Sequence, residues 1–174
     1  MKEKLLLILS TVLLLGFLSP TLGLATECLT LRGQAYTNSL SEVTTMGSAR
    51  LTGIKGVDLR CGLQGALQGI NQDDGSLYFK HTVVCDDHTM FILDSHTVMQ
   101  VEGDCQALGR PGIIAGFEES SSMVAVDGPF AGWTGTAWIS GRAECGWNRM
   151  EVKAEICGAA RAPGDYAKPR IPAR

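Results

Sequence analysis

From Met150 to Ile156 the chain alternates without a fault, with Met150, Val152, Ala154 and Ile156 opposed to Glu151, Lys153 and Glu155. A period of two is that of a β-strand with one buried and one wet face. Just upstream, Ala137, Ile139, Ala143 and Cys145 oppose Thr136, Ser140, Arg142 and Glu144 in the same way. The intervening GWNR at 146–149 predicts a turn, since Gly and Asn tolerate the positive φ of tight hairpins. Residues 123–157 therefore predict three strands joined by two glycine-rich turns.

The pattern is weaker elsewhere but points the same way. Thr26–Tyr36 predicts a first strand, and the Ser/Thr/Asn-rich stretch 37–45 a loop or weak strand. Val57–Ile70 predicts the next clear strand, with Val57, Leu59, Cys61, Leu63 and Leu67 on one face and NQDDGS at 71–76 as its turn. Residues 77–102 predict a meander of LYFKHTVVC, TMFIL and TVMQVE, broken by DDH and DSH turns. An irregular segment follows over 103–112, then a short strand over Ile113–Phe117 and a loop at EESSS, 118–122. No stretch beyond the N-terminal segment has helical apolar spacing with caps. The expectation is an all-β domain, a closed antiparallel β-barrel of about eight strands, with a β-sandwich as the alternative. Glycine-bearing strands curve readily, and closure removes exposed edges.

The segment DGPFAGWTGT, 127–136, resembles the G-x-F-A-G-x-x-G-T stretch of small secreted barrels of the allene oxide cyclase barrel-like class. The matching positions are Gly128, Phe130, Ala131, Gly132, Gly135 and Thr136. The resemblance implies an eight-stranded barrel with a partly apolar interior. Plant members of that class are cyclases, but their catalytic residues find no matching positions here, and the class does not explain six cysteines.

Composition adds a compartment. Lys2 and Lys4 precede an apolar run from Leu5 to Leu18, then Pro20 and the small-residue sequence Gly23-Leu24-Ala25. Residues 1–25 thus predict a secretory signal peptide, and the run is shorter than the roughly 20 residues a bilayer span needs. Removing 25 of 174 residues leaves about 149, the size of one domain. No second apolar span follows, so no membrane span is expected. Residues 26–157 hold 9 Lys and Arg against 16 Asp and Glu, a net charge of 9 − 16 = −7. That acidity argues against nucleic acid as a partner. Residues 158–174, with four basic residues, one acid and three prolines, predict a disordered basic tail after a barrel domain at 26–157.

The six cysteines, Cys28, Cys61, Cys85, Cys105, Cys145 and Cys157, all fall beyond the signal segment. An even number in an exported chain predicts up to three disulfides, with about 15 possible pairings. There is no CxxC, GxSxG, HExxH or P-loop, and no cofactor is expected.

Three sets of residues are candidates for chemistry. His81, His88 and His96 are metal-ligating types, but ligands must converge and successive turns of a meander lie at opposite ends, so no metal is expected. Glu118, Glu119 and Asp127 could form a carboxylate pair for acid–base work, though carboxylates on loops usually serve solubility. Trp133, Trp138 and Trp147 lie within 15 residues, beside Phe130. Trp138 falls on an otherwise polar face, and Trp133 and Trp147 could ring a barrel mouth, where ligand sites lie. The functional expectation is an exported protein, secreted or periplasmic, whose barrel holds a small apolar ligand or docks another protein. Alternatives are an isomerase or cyclase within the barrel and a periplasmic metal-binding protein.

Overall fold

The computed structural model describes residues 26–160 apart from residue 111. The chain forms eight strands: β1 (Thr26–Ser39), β2 (Thr44–Gly53), β3 (Asp58–Ile70), β4 (Leu77–Cys85), β5 (Met90–Asp104), β6 (Ile113–Asp127), β7 (Thr134–Glu144) and β8 (Trp147–Ala159). Each pairs antiparallel with the next, and β8 closes on β1, so the sheet has no free edge. The expected eight-stranded closed barrel is the fold. Among the described residues no helix is long and apolar enough to cross a membrane.

Alternation decides the inside. Leu29, Leu31, Ala35 and Thr37 of β1 point inward and are buried, as are Ala154 and Ile156 of β8. The faces read from 137–143 and 150–156 are those observed. The two ends of the barrel differ. The β2–β3, β4–β5 and β6–β7 connections gather at one end, where Phe130 and Trp133 plug the lumen edge to face, 5.4 Å between ring centroids. Both are almost wholly buried, and the Cys61–Cys85 bridge joins the same floor. At the other end the inward side chains Phe79, Met99, Phe117 and Met150 are only partly covered. The barrel is a cup with a sealed floor and a mouth.

The cysteines pair as Cys28–Cys157, Cys61–Cys85 and Cys105–Cys145, leaving no free thiol. Cys28 and Cys157 are directly opposite across the closing β1–β8 seam, and Cys61 and Cys85 across β3–β4. Cys105–Cys145 ties the β5–β6 connection to the β7–β8 turn at the mouth.

Several expected breaks are strand instead. DSH at 94–96 lies inside a continuous β5, because Asp94 and His96 face out while Ser95 faces in and bonds Ser121. EESSS at 118–122 lies inside β6 for the same reason, with Glu119 and Ser121 inward. β1 runs through 37–39, where buried Thr37 accepts a hydrogen bond from the Asn148 amide at 2.9 Å. β2, over 44–53, has only small inward residues until Leu51, too faint a pattern to read as a strand. The irregular segment is shorter than expected, since β5 reaches Asp104. The last turn is Cys145–Gly146, both at positive φ, so Trp147 already belongs to β8. β8 continues to Ala159, past the expected boundary at 157. The expected signal peptide, 1–25, and residues 161–174 of the expected basic tail lie outside the described residues.

Candidate functional site

The lumen holds a cavity of about 130 Å³. Its walls are mainly apolar, contributed by every strand and including Leu31, Leu51, Phe91, Met123, Ile139 and Val152. One sector differs. On β4, β5 and β6 the inward side chains of His81, Ser95, Thr97, Glu119 and Ser121 form one connected polar cluster, while Thr37, Thr45 and Asn148 add polar groups elsewhere on the wall.

Strand register explains how they meet. His81 pairs with Leu93 and Glu119 with Thr97, so the two side chains are offset by four residues along β5. Ser95 lies between them, and its short side chain leaves the diagonal open. His81 Nε2 comes to 3.1 Å from Glu119 Oε1. The ring N–H is not aligned along this approach, and the buried Nε2 has no hydrogen-bond partner of good geometry. This contact is a close approach, ionic when the imidazole is protonated, rather than a directed hydrogen bond. Thr97 Oγ1 donates to Glu119 Oε2 at 2.9 Å, and Ser121 Oγ to Oε1 at 3.3 Å. Ser121 also shares a 2.7 Å hydrogen bond with Ser95.

Space for the imidazole comes from β3. A Cβ on Gly65 would lie 2.8 Å from His81 Nδ1 and 2.7 Å from Thr45 Oγ1, so the ring occupies volume that glycine leaves empty. Phe79 stacks beside it, 5.7 Å between centroids, and fixes the ring plane. Burial pushes the Glu119 carboxyl up. The close approach and charge of His81, with the hydroxyls of Ser95 and Thr97, more than offset this and hold it below the ordinary range. The cup thus keeps an oriented carboxylate in a mainly apolar wall.

The residues singled out from the sequence do not converge. His81 lines the cavity, His88 sits in the β4–β5 turn at positive φ, and His96 lies on the outer face of β5 beside Tyr78. Glu118 points outward, and Asp127 accepts a hydrogen bond from the Gly128 amide at the end of β6. Phe130 and Trp133 plug the floor rather than ring a mouth. Trp138 and Trp147 stand on the outer wall, 55% and 61% exposed. The one grouping of metal-ligand types among the described residues, Cys28, Glu155 and Cys157, includes a disulfide, whose sulfurs are already bonded to each other. The polar cluster itself was hidden because four of its five members fall in the DSH, EESSS and TVMQVE stretches, where polarity reads as exposure. Period-two placement of Glu119 and Ser121 relative to Met123 and Ala125 is the signal that finds it.

No protein-family model matches the chain, nor does any curated protein or solved structure.

Proposed function

We propose that this is an exported binding protein whose barrel holds a small, mainly apolar ligand bearing one polar group. The observation that carries this reading is the lumen itself, a sealed-floor, mainly apolar cavity into which the His81–Glu119 cluster presents fixed polar groups. Small-molecule sites combine these two features, area for affinity and a few fixed polar groups for orientation. The volume sets the ligand's scale. A cavity of about 150 Å³ accommodates benzene, so the buried part is one ring or a short branched chain, and anything longer emerges through the mouth. Three disulfides support an oxidising, extracytoplasmic setting.

Titration with benzyl alcohol, phenol and isoamyl alcohol, followed by two-dimensional NMR, tests the reading. Saturable shifts at residues facing the lumen are expected, and Val152→Phe, which fills the cup, abolishes them while the fold persists. Absence of saturable lumen shifts with all three probes refutes it. The His81–Glu119 pair supports a second reading, an isomerase or cyclase using the two groups for proton transfer. Recovery of a bound probe unchanged after prolonged incubation favours binding over conversion.

A further inference from the structure

Trp138 breaks the alternation of β7. Its neighbours on the outer wall are short or polar: Thr136 and Ser140 along the strand, Ser120 and Lys153 across the ladders. None is bulky enough to cover an indole, and the side chain stays 55% exposed. It lines a groove of about 420 Å³ with His96, Glu118, Ser120, Glu151 and Lys153. A second groove, of about 510 Å³, continues from the first and shares Val98, Glu118, Ser140 and Glu151 with it. Gly116 and Ser140 keep its floor low, and Arg142 and Arg149 stand at its far end.

The ladder extends this geometry to a second exposed indole. Outward pairs along β7–β8 run Trp138 with Lys153, Ser140 with Glu151, Arg142 with Arg149, and Glu144 with Trp147. Trp138 and Glu144 are six residues apart in the strand, about 20 Å at the usual rise. Trp138 therefore lines a shallow trough whose sides carry hydroxyl, carboxylate and cationic groups, and Trp147 stands one outward pair beyond its Arg142–Arg149 end.

We propose that this outer trough binds a neutral, β-linked polysaccharide chain, independently of the lumen. A pyranose ring with equatorial substituents has an apolar C–H face and a hydroxyl rim. The face stacks on an indole, whose π-surface is negative against the slightly positive C–H edge. The rim meets hydroxyls that both donate and accept (Ser120, Ser140), carboxylates that accept (Glu118, Glu151) and an ammonium that donates (Lys153). β1,4-linked chains are ribbons with this face repeated along their length, which suits two indole platforms aligned along one strand ladder. Charge selects the neutral class. Glu118 and Glu151 face Lys153 and Arg149, while Arg142 is held by Glu102 at 2.7 and 2.9 Å and by Glu144 at 2.8 Å. No excess of positive charge remains to attract an acidic glycan, and the domain is acidic overall.

The test uses the full exported protein with cellohexaose, chitohexaose and polygalacturonate, measured by affinity electrophoresis and by quenching of tryptophan fluorescence. One or both neutral hexasaccharides bind and polygalacturonate does not. Trp138→Ala weakens binding by about tenfold or more, as removal of a central aromatic anchor does. Trp147→Ala weakens the hexasaccharide but not the matching disaccharide, because the second platform is reached only by a long chain. Val152→Phe leaves glycan binding unchanged, separating this site from the lumen. Both tryptophans are exposed, so unchanged melting temperatures exclude misfolding. Failure of both hexasaccharides to bind, preference for polygalacturonate, or full affinity in Trp138→Ala overturns the proposal.

Discussion

Glu119 carries a charge into a place where burial alone would remove it. His81 and the surrounding hydroxyls reverse that balance and hold its pKa below the ordinary 4.5. The sign of the consequence follows. A carboxyl with a depressed folded-state pKa stabilises the fold fully above its unfolded value and loses that contribution as pH falls through the folded value. Glu119→Gln is therefore expected to cost about 1–3 kcal/mol at neutral pH, the scale of hydrogen bonds to a buried charged group. The difference from the parent then shrinks as pH falls below the ordinary 4.5 and through the depressed folded-state value. Urea unfolding of both proteins across that range measures it. A gap independent of pH would mean that the carboxylate's charge contributes nothing and only its shape matters.

At the scale of elements, the β6–β7 connection, 128–133, forms much of the floor. Phe130 is 2% exposed, and Phe130→Ala is expected to cost about 3–5 kcal/mol, the range for a buried aromatic whose cavity cannot collapse. The two glycines beside it act for different reasons. Gly132 has open space around it but φ of +84°, so Gly132→Val strains the backbone by more than roughly 1 kcal/mol. Gly135 instead leaves no room for a Cβ against the Glu155 carbonyl. Thermal unfolding of Phe130→Ala and Gly132→Val under non-reducing conditions checks both, and neutrality of either would remove this connection from the core.

The legibility of other elements divides along the same physical line. β7 and β8 were readable because their inward residues are apolar and their outward ones charged, so one pattern encodes both faces. β2 and the middles of β5 and β6 were not, because small or polar side chains point inward there. A hydrophobic pattern cannot distinguish a wet face from a polar cluster satisfied inside a lumen. The floor plug was legible as a motif, DGPFAGWTGT, but not as a floor, since its side chains meet only after the barrel closes. Trp138 was visible as an exception to its face; its partnership with Trp147 across 20 Å appears only from the β7–β8 register.

At the scale of the whole molecule, the disulfides do unequal work. They separate their cysteines by 129, 24 and 40 residues. Restriction of the unfolded chain then favours Cys28–Cys157, at about 5 kcal/mol, over about 3.5 and about 4 kcal/mol for the other two. Replacing each pair by serines and comparing guanidinium midpoints should rank the three in that order, with Cys28/Cys157 the most damaging. Equal losses would show that local packing around each bridge, not loop length, sets its contribution. The same bridge governs how the barrel answers a mechanical load. Thr26 and Ala159 are partners at the end of the closing seam, and the sulfurs lie only two residues inside them. Tension applied through these ends crosses one covalent link and does not reach the hydrogen-bonded rungs beyond it. Oxidised, the barrel is a nearly inextensible link under pull; reduced, the same tension would open the β1–β8 seam one rung at a time, like a zip.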